Sequence, residues 1–138
     1  MTKLKAIRDN QKILVREKTG VDYYDGWTVD GSLQKGKTMT NQNIKTIFKL
    51  FNSECDNAIN KLSFKNITTT EKRITKAFND ANKLNTTNRV SLKESYLNLK
   101  IDELYLYFEY LQKKEDEKEE QRALREQMRE EAQAKKRN

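Results

Sequence analysis

The chain has 138 residues, 35% of them hydrophobic and 36% charged, with a formal charge of +7. Globular chains usually carry about 25% charged residues, so the core must be thin or part of the chain must lie outside it. With no histidine, no proline, four glycines and one cysteine, the composition excludes an intramolecular disulfide, a cysteine–histidine zinc cluster and a histidine-activated nucleophile, and it disfavours an all-β fold, which needs many turns.

Residues 3–18 predict a first helix, with Leu4, Ile7 and Leu14 loosely on one face. Residues 19–40 hold all four glycines (Gly20, Gly26, Gly31, Gly36) and the single tryptophan. Val21–Tyr24 and Trp27–Val29 flank Asp25-Gly26, which fits a short hairpin. An irregular loop pinned by Trp27 fits as well. Thr40 can cap a second helix over about 41–63, where Ile44, Phe48, Phe51, Cys55, Ala58 or Ile59, and Leu62 form one stripe that Ile47 widens. Cys55 within that stripe reads as a buried free thiol, which fits a reducing cytosol.

A third helix, about 70–84, follows Thr68-Thr69-Thr70 and buries Ile74, Phe78, Ala81 and Leu84; Asn85–Asn88 reads as a loop. Ser91 and Glu94 form a capping box that opens a fourth helix, 92 to about 135. Leu97, Ile101, Leu104, Phe108 and Leu111 repeat as a heptad seam, and Tyr96, Leu99, Leu106 and Tyr110 add a second apolar flank. A helix apolar on two sides either sits between other helices or meets a second protein, and self-association through 92–111 is one such meeting. Beyond Leu111 the seam turns charged at Glu115, Lys118 and Arg122. Residues 112–138, rich in helix formers, read as a solvated helical extension, about 36 Å long if helical to 135; a frayed tail is the alternative. The fold class that follows is mainly α: a helical domain of about four helices over 1–111, with a Gly-rich loop or hairpin near 20–40 and a long projecting C-terminal helix.

Positive charge is spread rather than concentrated, with 19 Lys+Arg against 13 Asp+Glu in residues 1–111 and 9 against 8 in 112–138. That balance favours weak attraction to nucleic acid or an anionic surface. No apolar run approaches the ~18 residues of a membrane span, and the opening MTKLKAIRDNQK lacks the apolar run of a signal peptide. Gly31-Ser-Leu-Gln-Lys-Gly36-Lys37-Thr38 spells a phosphate-binding loop, in which backbone amides would cradle phosphates, Lys37 reach the terminal ones and Thr38 hold magnesium. Its context is wrong: Trp27–Asp30 is short and half polar, and the strands of a parallel sheet are missing. Nucleotide binding at Gly31, Gly36, Lys37 and Thr38 therefore ranks last. Asp22, Asp25 and Asp30 lack calcium-loop spacing. Asp102 and Glu103, adjacent on a helix, point to different sides. No catalytic residue, metal ligand or cofactor is expected. Trp27, with Lys35 and Lys37 nearby, could stack on bases, although a thin domain needs its aromatics inside. Tyr105, Tyr107 and Tyr110 circle the fourth helix and offer amphipathic rings to a partner.

Trp27-Thr-Val-Asp-Gly-Ser32, Lys35-Gly36, Met39-Thr-Asn41, Phe51-Asn-Ser-Glu-Cys55, Glu71-Lys-Arg-Ile74, Tyr96-Leu-Asn-Leu-Lys100 with Glu103-Leu104, and the tail blocks Lys118–Arg122 and Arg125–Glu131 follow in order along nearly the whole chain. Together they resemble an uncharacterised bacterial and phage family, number 4041 among the domains of unknown function. The resemblance implies an upstream coiled coil and a downstream nuclease of the GIY-YIG type in relatives, with the domain itself as the recognition part of phage-defence or phage-borne nucleases. No Gly-Ile-Tyr…Tyr-Ile-Gly motif is present here, so no catalytic residue carries over. On this resemblance the chain is either an excised piece or a stand-alone short relative. The expectation is a non-catalytic interaction module whose partner surface draws on Trp27, Lys35, Lys37, Tyr105, Tyr107 and Tyr110. Nucleic-acid binding through Lys35, Lys37 and Lys45 is the rival.

Overall fold

The computed structural model describes residues 2–137. Among them, four helices and two short strands follow in the order α1 (Thr2–Arg16), β1 (Val21–Tyr23), α2 (Leu33–Asn60), α3 (Ile67–Leu84), β2 (Val90–Leu92) and α4 (Glu94–Arg137). The protein is mainly α with a long C-terminal helix, as the periodicity predicts.

The apolar stripe of α2 builds the core. Ile44, Ile47, Phe48, Phe51, Cys55 and Ala58 are all buried, and they meet Ile74, Phe78 and Ala81 of α3 and Tyr96 and Leu104 of α4. Phe51 lies edge-on between Phe78 and Tyr96, 5.9 Å from each ring centre, and Phe48 meets Tyr96 at 4.9 Å. Edge-to-face packing of this kind adds about 0.5–1.5 kcal/mol per pair to the burial itself. Leu84, expected inside, stands 72% exposed at the end of α3.

The strands correct one expectation. Val21–Tyr23 does not fold back on Trp27–Val29. It pairs antiparallel with Val90–Leu92, Val21 opposite Leu92 and Tyr23 opposite Val90. Val21, Val90 and Leu92 drop into the core, so burial rather than turn chemistry selects the partner. The tight turn falls at Asp30-Gly31 instead of Asp25-Gly26. Both residues have positive φ, +52° and +78°, and Val29 and Ser32 exchange backbone hydrogen bonds at 2.9 and 3.1 Å across them. Two successive positive φ values define the mirror-image turn for which Asp-Gly is suited.

Helix starts shift for the same local reasons. The α2 helix begins at Leu33 and not near 41, because the Ser32 hydroxyl accepts the Lys35 amide at 3.2 Å and caps it. Thr40 lies buried inside the helix, its hydroxyl donated to the Gly36 carbonyl at 3.0 Å. The α3 helix starts at Ile67, before the threonine cluster. Ser91 sits in β2 opposite Asp22, so the predicted Ser91–Glu94 capping box does not form and α4 opens at Glu94.

Only part of the second apolar flank of α4 is covered within the chain: Tyr96 is buried in the core, whereas Tyr110 stands 50% exposed. Leu97, Ile101 and Leu104 pack on the α2–α3 core, while Lys100, Glu103 and Tyr107 turn towards α1. Every residue from Asp116 to Arg137 is exposed, yet the helix runs unbroken. Glu119 pairs with Arg122 one turn along, and Gln127 donates to Glu131 at 3.3 Å. Residues 112–137 extend about 39 Å at the usual rise per residue. No described helix is long and apolar enough to cross a membrane.

Candidate functional site

The sequence-predicted residues occupy separate places. Trp27 is half-buried, and its backbone carbonyl presses on α2 at Gly36, where an added Cβ would lie 1.7 Å from the Trp27 oxygen. Only glycine allows that approach. The Trp27 ring meets Tyr24 edge-on at 5.4 Å, and the Arg89 guanidinium stands 4.9 Å from the Tyr24 ring centre and 5.7 Å from that of Trp27. The indole Nε1 is buried and has no hydrogen-bond partner among the described residues. Tryptophan thus anchors the loop, and Tyr24 with Arg89 forms the exposed part of this aromatic–cation cluster.

Lys35 and Lys37 are exposed on the first turns of α2. Gly36, Lys37 and Thr38 lie inside that helix: the Gly36 amide is donated to the Ser32 carbonyl at 3.2 Å and the Thr38 hydroxyl to the Gln34 carbonyl at 3.1 Å. Gly31 belongs to the tight turn, and the two strands of the described sheet are antiparallel. The backbone amides that a phosphate loop would present are therefore engaged at Gly36, and no parallel strand feeds the run among the described residues.

The three tyrosines diverge around α4. Tyr105 donates its hydroxyl to Glu71 of α3 at 2.7 Å. Tyr107 lies against Arg8 of α1, which donates to its hydroxyl and stands 5.7 Å from its ring centre. Tyr110 is 50% exposed and carries the Lys114 ammonium 4.8 Å from its ring centre. Of the three it has the freest surface.

The densest polar arrangement is one that the sequence did not single out. Between α1, α2 and α4 lies an open cleft of about 630 Å³, lined by Arg8, Gln11, Lys12, Val15 and Arg16 from α1, Asn52 and Asp56 from α2, and Tyr96, Lys100 and Glu103 from α4. Gln11, Lys100 and Glu103 are each no more than 6% exposed. Gln11 donates to Glu103 Oε1 at 3.0 Å and to the Leu99 carbonyl at 3.3 Å. Arg8 Nε and Lys100 Nζ approach the two Glu103 oxygens at 3.7 Å each. At the cleft floor the Tyr96 hydroxyl donates to Asn52 Oδ1 at 2.7 Å, and burial outweighs that bond to push the phenol up to about 12. Burial likewise pushes the nearby Cys55 thiol up to about 12, which leaves it protonated and unreactive near neutrality.

A family model described as SNIPE associated domain matches residues 1–115. The chain belongs to that family. No curated protein and no solved structure matches the chain. The model bears the SNIPE name rather than that of family 4041. Its match ends at Glu115, the last α4 residue with any cover, so the SNIPE associated domain coincides with the packed part of the molecule. Its polar cleft had a faint sequence signal. Tyr96, Lys100, Glu103 and Tyr107 recur at spacings of four, three and four, which places them on one face of α4, and Gln11 shares a face of α1 with Leu4, Ile7 and Leu14. Charged residues on a buried stripe read as surface until the second helix is known. Asp102 is exposed while Glu103 is buried, as their adjacency predicts.

Proposed function

We propose that the chain is a non-catalytic recognition module that engages a protein partner and holds it at a fixed reach through α4. One observation carries this reading: α4 is shared between two roles, its first turns closing the core and its last 22 residues, 116–137, wholly exposed on the same unbroken helix. A helix of that length without tertiary contacts contributes nothing to the core, so a role as spacer between the packed part and another body accounts for it. The resemblance to family 4041, with its nuclease-fused relatives, supports placing the module as the targeting part of a phage-defence or phage-borne nuclease. On this reading the chemistry belongs to a domain outside this chain.

The partner surface on this reading is the exposed ring of Tyr110 at the root of the free stretch, with Lys114 beside it. The test is capture of a partner from lysates of phage-infected and uninfected bacteria, its identification by mass spectrometry, and its affinity measured with purified protein. Tyr110→Ala should abolish capture while the helical circular-dichroism signal stays intact. Capture by the variant at the same affinity refutes this surface.

A second reading has one observation in its favour. Helix α1 carries Lys3, Lys5, Arg8, Lys12 and Arg16 against Asp9 alone, and α2 from Leu33 to Ser53 carries Lys35, Lys37, Lys45 and Lys49 with no acid. Nucleic acid would then bind with an affinity that falls steeply as salt rises. A gel shift absent at about 50 mM salt, where such contacts are strongest, removes that reading.

A further inference from the structure

We propose that the cleft between α1, α2 and α4 is a binding site for a phosphate group, with Lys100 at its base and Arg8, Lys12 and Arg16 along its wall. This goes beyond the partner reading and stands or falls separately from it. It is also distinct from the Gly31–Thr38 run, whose residues line no part of the cleft.

The argument starts from Lys100. Its ammonium is a compact charge with three donors, and burying such a charge is costly unless it is paired and hydrogen-bonded. Here the residue is 6% exposed, and its ammonium, which reaches the open cleft, makes no hydrogen bond to protein among the described residues. Its carboxylate neighbour, Glu103 Oε1, is 3.7 Å away and already accepts from Gln11 at 3.0 Å. The Tyr96 ring, 5.8 Å off, supplies a weak cation–π contact. Tyr96 itself spends its hydroxyl on Asn52. The donors of Lys100 are thus left to whatever enters the cleft.

The wall supplies the matching charge. Arg8, Lys12 and Arg16 recur every four residues, so they stack along one face of α1, about 6 Å apart. Lys12 has no ion pair among the described residues, and Arg16 has only a 3.9 Å contact with exposed Glu17. Two acids face the same space. Glu103 is committed to Gln11, Arg8 and Lys100, and Asp56 lies exposed on the α2 side. Four cations against two carboxylates leave a net positive cleft. An ammonium at the base with the Lys12 ammonium and the Arg16 guanidinium on the wall suits a tetrahedral oxyanion, to which Arg binds bidentately and Lys as a point charge. The volume of about 630 Å³ exceeds a single phosphate and leaves room for the group that bears it.

The shared chemistry is the phosphate group, and two sources can present it: a small phosphorylated molecule or the end of a nucleic acid. The experiment is calorimetric titration of the full chain with inorganic phosphate, with acetate at matched ionic strength, and with a short single-stranded DNA carrying or lacking a 5′-phosphate. Phosphate should bind where acetate does not. Lys12→Ala, which removes an exposed side chain and leaves the fold alone, should weaken phosphate binding about tenfold, the scale of one charge-assisted hydrogen bond; Lys100→Met should abolish it. Tighter binding of the 5′-phosphorylated DNA than of its unphosphorylated twin assigns the site to nucleic-acid ends, and binding of inorganic phosphate without that difference assigns it to small molecules. Equal heats for phosphate and acetate, or phosphate affinity untouched by Lys12→Ala, overturns the proposal. If Lys100→Met fails to fold, the Lys12→Ala titration alone decides. Loss of partner capture in Tyr110→Ala is read separately, so one reading can fail while the other stands.

Discussion

The two halves of α4 are one helix held up by different forces. From Glu94 to Leu111 its side chains close the core on one side and a polar seam with α1 on another. From Asp116 to Arg137 no side chain is covered, and helicity rests on intrinsic propensity and on pairs such as Glu119–Arg122. Isolated helices of this kind are marginal in water because nucleation is costly. The packed half removes that cost: it supplies a turn already formed, on which each further residue adds one hydrogen bond. The free half is thus stable because it is continuous with the domain, while the domain has no need of the free half.

That asymmetry can be broken at measurable points. The largest loss is expected for Leu104→Ala, which opens a cavity where Leu104 is fully buried; thermal or denaturant melts should show about 3–4 kcal/mol less stability. Glu103→Ala should follow at about 2–3 kcal/mol, since it strands Lys100 without a carboxylate and takes from Gln11 the nearer of its two acceptors. Restoring much of that loss with a Lys100→Met partner change would confirm that the uncompensated charge, rather than lost packing, is responsible. A smaller effect is expected with pH. Cys55 has an ordinary value of 9.0 and is raised to about 12 in the fold, so below pH 9 the thiol is protonated folded or unfolded and its contribution is fully present. Between pH 9 and 12 only the unfolded chain loses the proton, and stability falls as pH rises. Tyr96, raised in the same direction, adds to the slope. Denaturant titrations across that range should show the decline, shallower in Cys55→Ala. The smallest effect on the domain belongs to Arg122→Pro. Proline should break the free half locally by about 3 kcal/mol and lower the helical circular-dichroism signal, yet leave the melting midpoint of the domain where it was. A fall in that midpoint would show that the free half does support the core.

How much of this was legible in the sequence follows the same division. Where burial is periodic, the residues announced it: Ile44, Phe48, Phe51, Cys55 and Ala58 on α2, and the Leu97–Ile101–Leu104 seam on α4, lie where their spacing puts them. What the sequence hid was pairing at a distance. A three-residue strand such as Val21–Tyr23 has no periodicity to read, and its partner Val90–Leu92 lies some seventy residues on, so the sequence offers the nearer Trp27–Val29 instead; of the two readings of that segment, the irregular loop pinned by Trp27 is the one the structure shows. The early start of α2 was hidden by Gly36, a poor helix former whose presence inside the helix is explained only by the Trp27 carbonyl against it. The cleft was hidden because lysine, glutamate and glutamine read as surface until two helices bring them face to face.

The continuity of α4 has a geometric consequence. Its root is gripped from both sides, by Glu71 on Tyr105 and by Arg8 on Tyr107, and the stretch beyond acts as a lever. A tilt of about ten degrees at the root would carry the far end of a 39 Å rod sideways by about 7 Å, taking the usual rise per residue. Small rearrangements where α1 meets α4, the very seam that borders the cationic cleft, are thereby magnified at the tip.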